Sequence, residues 1–256
     1  MKTKERGIDK MKKIKKLTIT AITALAVATA TSSLTPVHAE EAQQAAIEAT
    51  NNDKRMAQIG GAIRHFLGDK TPIAFKSGLK SGKVNAYYEG DSNNFTVYYS
   101  KAKEGKNFND PSLKDATSYV TIEKKTYASA TEAKSAINYS NGQAQMGLPK
   151  IQLGSGLTGT LDNANGQKFI HWNSGKWSMT VRSTGSQDPT KTARKIVNKL
   201  AGNYLPQPSS RAAGNFVIGQ GSGMQKQVMS WDKGNAVYTV KASDLNTLLT
   251  FTSSVQ

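Results

Sequence analysis

The chain has 256 residues with 34 basic and 18 acidic side chains, a formal net charge of +16, and no cysteine. The missing cysteines exclude disulfides, cysteine-ligated zinc or iron–sulfur sites, a cysteine nucleophile and a lipid-modified N-terminal cysteine. Hydrophobic residues make up 37% of the chain. The composition is therefore polar for a globular protein, but the length is sufficient for one or two small domains with hydrophobic cores.

Residues 1–39 have the pattern of a secretory signal peptide. Five lysines between residues 10 and 16 precede an uncharged, mostly apolar run over 17–30, and Val37-His38-Ala39 ends in the small residue that signal peptidase requires. This run is too short to cross a bilayer, because a spanning helix needs about 20 apolar residues. We therefore expect cleavage before Glu40 and a secreted protein.

The predicted mature chain is still basic. Residues 1–39 hold eight of the basic and two of the acidic side chains, so the formal net charge falls from +16 to +10. Most of the remaining cations are lysines, which suit a salt-sensitive attraction to a polyanion better than the recognition of a defined phosphate pattern. An exported chain without cysteine is typical of Gram-positive bacteria, whose walls carry anionic polymers. The alternative is that the charge only keeps the surface soluble.

The N-terminal half is predicted to consist of a flexible leader over 40–53 and an α+β unit over 54–139. The unit starts with a helix in which Met56, Ile59 and Ile63 recur at helical spacing and which ends at Gly68. Alternating β-branched and aromatic residues then predict short strands over 73–75, 84–88, 95–99 and 118–122. The capping sequence from Ser129 to Glu132 predicts a short helix that ends at Ile137.

After a polar linker over 140–147, a C-terminal α+β unit over 148–256 contains two segments with similar sequences. Residues 171–182 align without gaps to 230–241, and both read W-x-x-G-x-x-x-x-T-V-[RK]. Each is predicted to be a hairpin followed by a helix, the first capped by Asp188 and the second by Ser243 or Asp244. The similarity of the two segments suggests an internal repeat of hairpin plus helix. The predicted fold class is α+β, with antiparallel sheets of short strands and helices packed on one face.

The tryptophans are predicted to lie in the core. With Ser174-Gly175 as a two-residue loop, Trp172 faces Trp177 and the hairpin has one apolar face; with Lys233-Gly234 as the second loop, Trp231 lies on a similar face. A wholly apolar face around each ring favours burial over a platform for sugar rings.

The second hairpin also carries a family resemblance. Trp231, Gly234, Tyr238 and Val240, followed by Leu248-Leu249 and a terminal Ser-Ser-Val, resemble the closing segment of uncharacterised extracellular domains in secreted and lipoprotein-type chains of Gram-positive bacteria. The resemblance implies an extracellular location and supplies no catalytic residues. This chain lacks the anchoring cysteine of the lipoprotein members.

Candidates for catalysis are weak. His171 is predicted to lie on the polar face of its hairpin, and Asp162 is the nearest acid that could orient it. An extracellular hydrolase or carbohydrate-active enzyme would have to assemble its site from such distant residues. The acidic residues are scattered without a metal-binding spacing, and neither a metal nor a cofactor is predicted.

The candidate binding residues are the lysines of two glycine-containing segments that flank aromatic strands. They are Lys76, Lys80, Lys83, Lys101, Lys103 and Lys106. Lysine loops beside aromatic residues also suit single-stranded nucleic acid, but export makes that a minor alternative. The leading hypothesis is a secreted, non-enzymatic protein held on an anionic cell-wall polymer, with no lipid anchor and no transmembrane segment. The alternatives are the enzyme described above and a ligand-binding module with a groove between sheet and helices.

Overall fold

A computed structural model describes residues 36–184, 187–219 and 226–256 of the chain. The helices in this part are α1 (Pro36–Leu67), α2 (Ala130–Ser135), α3 (Pro189–Leu200) and α4 (Leu245–Thr252). The strands are β1 (Lys83–Gly90), β2 (Phe95–Ala102), β3 (Ser118–Thr126), β4 (Lys150–Gly154), β5 (Leu157–Ala164), β6 (Gln167–Ser174), β7 (Trp177–Thr184), β8 (Ala212–Ile218), β9 (Gln227–Lys233) and β10 (Ala236–Ala242). The first 35 residues of the predicted signal peptide lie outside the described residues.

The described strands form one ten-stranded sheet in the order β1-β2-β3-β10-β9-β8-β7-β6-β5-β4. All neighbours are antiparallel except β7 and β8, which are parallel. The predicted α+β class is therefore confirmed, with sheet as the larger part. The two predicted units share this sheet because β3 pairs with β10, and the segment 140–147 contains a short 3₁₀ turn (Gln143–Gln145) between α2 and β4. None of the described helices combines the length and the apolar character that a membrane span requires.

The helices are divided between the two faces of the sheet, which differs from the prediction of helices on one face. Side chains of α1, α3 and α4 belong to the main hydrophobic core. Ala133 of α2 instead packs in a second cluster with Val237 of β10. Successive strand residues point to opposite faces, so Tyr238 joins the main core while Val237 lies on the other side. A small helix on the second face shields these apolar residues from water.

Helix α1 includes the segment 40–53, which was predicted to be a flexible leader. The segment is rich in Ala, Glu and Gln, and these residues have high helix propensity. It is also anchored at its C-terminal end, because Asn52 is only 1% exposed. The side chain of Asn52 donates to the carbonyl of Gly82 (2.7 Å) and accepts from the amide of Val84 (3.0 Å).

These contacts cover the free edge of the sheet at β1. The Asn52 amide pairs with the strand backbone much as a neighbouring strand would, and Arg55 donates from Nε to the carbonyl of Val84. Further along the edge, the amide of Asn109 donates to the carbonyl of Ala86 (3.0 Å). At the other edge, Arg194 of α3 donates to the carbonyl of Gln152 in β4 (3.0 Å). Covered edges protect a sheet from pairing with another chain.

The predicted strand over 73–75 is reduced to a single bridge between Ala74 and Val255. Ile73 and Gln256 exchange two backbone hydrogen bonds of 3.0 Å on one side of the bridge, and the amide of Phe75 donates to the carbonyl of Ser254 (3.3 Å) on the other. These bonds fasten the C-terminal residues to this segment. Gly60 of α1 packs against the same segment, and a Cβ at this position would lie 2.6 Å from Cδ1 of Ile73. The glycine inside the helix therefore permits a close approach that a larger residue would prevent.

The turns of both W-x-x-G hairpins lie one residue later than predicted. The loops are Gly175-Lys176 and Gly234-Asn235, so Trp172 pairs with Met179 and Trp231 with Tyr238. Each loop begins with a glycine at positive φ (+56° and +61°), which the favoured type II′ turn requires at its first position. The partners shift by two residues, so every side chain keeps its predicted face. The prediction of buried tryptophans is confirmed, since all three are at most 6% exposed.

The predicted caps of α3 and α4 are confirmed. The Asp188 carboxylate accepts a hydrogen bond from the amide of Thr190 (2.9 Å), and Asp244, the second of the two proposed caps, accepts from the amide of Thr247 (2.9 Å). Each cap satisfies an amide that the first turn of a helix leaves unpaired.

The covered edge at β1 leads to a prediction about stability. Replacing Asn52 by Ala removes two hydrogen bonds to strand backbone and should lower the free energy of unfolding by about 1–3 kcal/mol. Asn51→Ala is the matched control, since Asn51 is exposed and should change stability little. Urea denaturation followed by circular dichroism measures both, and equal stability of the two variants would contradict the assignment of Asn52 to the edge.

Candidate functional site

Five of the six candidate lysines lie around one end of the β1–β2 hairpin, and we call this group the lysine end. Its members are Lys80, Lys83, Lys101, Lys103 and Lys106. The antiparallel register places Lys83 opposite Ala102 and Lys101 opposite Val84. The turn before β1 lies against β2, where Nζ of Lys101 donates to Oγ of Ser81 (3.0 Å). Strand pairing thus unites two lysine segments that are separate in the sequence.

The loop after β2 completes the lysine end. The backbone amide of Lys106 donates to Oδ1 of Asn85 (2.6 Å), and Asn85 in turn donates to the carbonyl of Glu104 (3.0 Å). The buried Asn85 therefore fixes the loop that carries Lys103 and Lys106 against β1. Lys76 lies apart from this group, where its amide donates to Oγ of Ser254 near the C-terminus (3.0 Å).

The lysine end forms no ion pair within the described part of the chain, although two carboxylates lie near it. Hydrogen bonds from Ser112 lower the pKa of Asp110, and the charge of Lys106 helps to lower it further. The Glu48 carboxylate accepts from the amide of Gly82 (2.9 Å). No described carboxylate lies within 4.0 Å of any of its five ammonium groups; the ion pair found between described residues joins Lys241 and Glu123 elsewhere on the sheet. Lys101 and Lys106 donate only to neutral serine hydroxyls. All five except the half-buried Lys83 are exposed. The arrangement is suited to contact with a polyanion in solution.

His171 lines a polar cavity of about 380 Å³ on the sheet face opposite the main core, at the junction of β6, β7 and β8. Its Nδ1 and Oγ1 of Thr180 are hydrogen-bonded to each other across the β6–β7 hairpin (3.0 Å), and its ring stacks on Phe169 with the two planes 6° apart. Arg182 and Asn215 also line this cavity. The cavity has the polar groups of a binding site but offers His171 no acid as a hydrogen-bonded partner.

Asp162 lies on the same sheet face as His171, because Asp162 pairs with Phe169 and Thr160 pairs with His171. The two side chains make no hydrogen bond with each other, and Asp162 does not line the cavity. Burial lowers the pKa of His171, and the negative charge of Asp162 opposes that shift. The interaction between Asp162 and His171 is therefore a through-space electrostatic one.

The second hairpin repeats the His171 contact without a histidine. Ser230 and Thr239 occupy the positions that align with His171 and Thr180, and their hydroxyls are also 3.0 Å apart. The same cross-strand hydrogen bond thus forms in both hairpins, once with an imidazole and once with a hydroxyl. This equivalence favours a structural role for His171 over a general base.

A larger cavity, which sequence reasoning did not find, lies on the main-core side of the sheet. It measures about 530 Å³ and opens between the β6–β7 hairpin, the end of α3 and the segment 201–208, and we call it the aromatic groove. Trp172 and Trp177 form part of its lining together with Tyr204. Tyr204 and Leu205 belong to an irregular segment between α3 and β8, so no periodic pattern could assign them to a wall.

No described group of His, Asp and Glu side chains is arranged to hold a metal ion. Comparison of the chain with protein-family profiles, with curated protein sequences and with solved structures finds no match. The functional argument therefore depends on the geometry of the chain itself.

The pKa of His171 leads to a prediction about pH. Burial lowers this pKa below its ordinary value of 6.5, so below that pH the unfolded chain binds a proton that the folded chain resists. The free energy of unfolding should therefore fall as the pH drops below 6.5, and His171→Gln should lose that part of the decline. His65→Gln is the control at the other histidine of the predicted mature chain.

Denaturant titrations at several pH values measure this effect, and an NMR titration of His171 checks its cause. Asp162→Asn should lower the pKa of His171 further, because the carboxylate favours the protonated imidazole. An unchanged or raised pKa in Asp162→Asn would contradict the electrostatic contact.

Proposed function

We propose that this is a secreted, non-enzymatic basic protein that is retained at a Gram-positive-type cell surface by lysine contacts to an anionic wall polymer. The observation that carries the proposal is the lysine end, where five lysines from two segments surround one end of a hairpin and none of them forms an ion pair with a described residue. The resemblance of residues 231–255 to extracellular domains supports the location.

A hydrolase is the weaker candidate. His171 and Asp162 share a sheet face but no hydrogen bond, so Asp162 does not orient the imidazole, although the hydroxyl of Thr180 lies 3.0 Å from its Nδ1. A general base needs a nucleophile or a bound water within hydrogen-bond reach and a group that orients it. Ser230 and Thr239 make the equivalent contact in the second hairpin, so the hydrogen bond between His171 and Thr180 needs no catalytic role to explain it.

The first experiment tests retention on a polyanion. The protein is bound to immobilised poly(glycerol phosphate) and to purified Gram-positive walls and is eluted with increasing NaCl. We expect release in the high hundreds of millimolar, because at about 1 M salt the Debye length falls to about 3 Å and exposed charge contacts are screened. Retention that is unchanged at ~1 M salt would overturn the proposal.

A matched pair of variants tests the place of contact. Four exposed lysines of the lysine end, Lys80, Lys101, Lys103 and Lys106, are replaced by Gln; the control replaces the exposed Lys114, Lys134, Lys191 and Lys195, so that both variants carry the same net charge. The first variant should elute at lower salt, and its salt slope should fall by about one for each phosphate that its lysines no longer neutralise. Equal effects would show that net charge alone governs binding.

A separate measurement tests export. The full chain is produced in a Gram-positive host, and the mass of the protein in the medium and in the salt wash of the cells is determined. We expect the mass of a chain that begins at Glu40, because Ala39 supplies the residue before the cut. A product that retains residues 1–39 would contradict the signal peptide.

A further inference from the structure

The aromatic groove is built by three parts of the fold. The β6–β7 hairpin supplies one side, the C-terminal end of α3 a second, and the segment 201–208 a third. Its lining includes Leu157, Trp172, Lys176, Trp177, Leu200 and Tyr204. Its volume of about 530 Å³ lies within the range of about 300–1,000 Å³ that small-molecule sites occupy.

The inner surface of the groove is apolar. Trp172, Trp177 and Met179 lie on the core face of the hairpin and are 4%, 6% and 2% exposed, so they form the floor of the groove and offer little accessible surface of their own. The apolar surface that a ligand can reach comes from Leu157, Leu200 and Leu205, which are only partly buried.

The mouth of the groove carries an aromatic side chain without a partner. Tyr204 is 86% exposed and makes no hydrogen bond or ring contact with any described residue. The neighbouring Asn203 is already engaged, since its Nδ2 donates to the carbonyl of Lys199 (2.8 Å). A large ring held at the rim of an apolar cleft can cover part of a ligand and still present its hydroxyl to water.

One charged side chain lines the groove. Nζ of Lys176 donates to the carbonyls of Pro208 (3.2 Å) and Ser209 (2.8 Å), which ties the segment 201–208 to the hairpin. An ammonium group has three donors, so one remains for a ligand. Because no carboxylate lines the groove, the charge at its edge favours an anionic group.

We propose that the aromatic groove binds a soluble, single-chain amphiphile with an anionic head group, of the fatty-acid type. The hydrocarbon tail lies on the partly exposed Leu157, Leu200 and Leu205. The carboxylate receives a hydrogen bond from Lys176 at the edge. Tail burial supplies affinity in proportion to the apolar area removed from water, and the lysine selects the sign of the head group. This site is independent of the lysine end, which lies at the β1–β2 end of the sheet.

The test uses three probes with one tail and different heads, namely dodecanoate, dodecanol and dodecylamine, each as monomers below its aggregation limit. Calorimetry and tryptophan fluorescence of the full chain measure the dissociation constants. We expect dodecanoate to bind about tenfold more tightly than dodecanol, as a charge-assisted hydrogen bond provides, and dodecylamine to bind most weakly. The fluorescence change should be reduced in Trp177→Phe, lost in the double variant Trp172→Phe/Trp177→Phe and kept in Trp231→Phe, since Trp231 does not line the groove.

Two variants locate the head group. Lys176→Gln should weaken dodecanoate binding about tenfold and leave dodecanol binding unchanged. Lys233→Gln is the matched control, because Lys233 is an exposed lysine beside the turn of the second hairpin and does not line the groove. If Lys176→Gln loses its fold because the segment 201–208 is released, Tyr204→Glu and Tyr204→Gln replace it. Both lose the ring at the mouth, and only the Glu variant should weaken dodecanoate binding beyond the loss that the two share.

The proposal is overturned if none of the three probes binds, if dodecylamine binds as tightly as dodecanoate, or if Lys233→Gln weakens binding as much as Lys176→Gln. The four-lysine variant of the lysine end should bind dodecanoate normally. Loss of polymer retention and loss of amphiphile binding are therefore separate results, and either proposal can fail without the other.

Discussion

The antiparallel pairing of β3 with β10 is the contact on which the rest of the structure depends. It joins the strands of the two halves into one sheet, with Ile122 opposite Val240 and both nearly completely buried. Helix α4, which follows β10, then crosses to the N-terminal strands, where Phe251 packs edge-on against Tyr99 with ring centroids 5.0 Å apart. Because these partners are far apart in sequence, closing the loop between them costs entropy that burial in the shared core must offset.

The parallel pair β7–β8 is the second constraint, and it creates the groove. Parallel neighbours cannot be joined by a tight turn, so the chain leaves β7, forms α3 and returns through an irregular segment to β8. The return is held at two points: Lys176 binds the carbonyls of residues 208 and 209, and the buried Asp232 accepts from the amides of Ser210 and Arg211. Helix α3 packs into the main core, and the irregular segment 201–208 that follows it forms one wall of the cleft beside the β6–β7 hairpin.

The two W-x-x-G hairpins use equivalent positions for equivalent structural tasks. Asn173 and Asp232 follow the aligned tryptophans, and each anchors a crossing segment: Asn173 donates to the carbonyl of Ser140 (2.9 Å), and Asp232 accepts from residues 210 and 211. The His171–Thr180 and Ser230–Thr239 contacts are equivalent in the same way. This correspondence indicates that His171, Asn173 and Thr180 stabilise the first hairpin and its neighbours. The lysine end and the aromatic groove have no such structural explanation and are the candidate functional surfaces.

The sequence by itself determined the local features: the two hairpins, the face of every residue in them, the burial of the tryptophans, the caps at Asp188 and Asp244, and the lysine segments. It did so because period-two patterns, turn glycines and caps act over a few residues. Only the tertiary structure decided the exact turns, the helical state of 40–53, the place of α2 on the second face, the union of both halves in one sheet and the groove beside Tyr204. These features depend on partners distant in the chain, such as Asn52 with Val84 or Lys176 with Ser209, and no local pattern encodes which of many polar or apolar residues will meet.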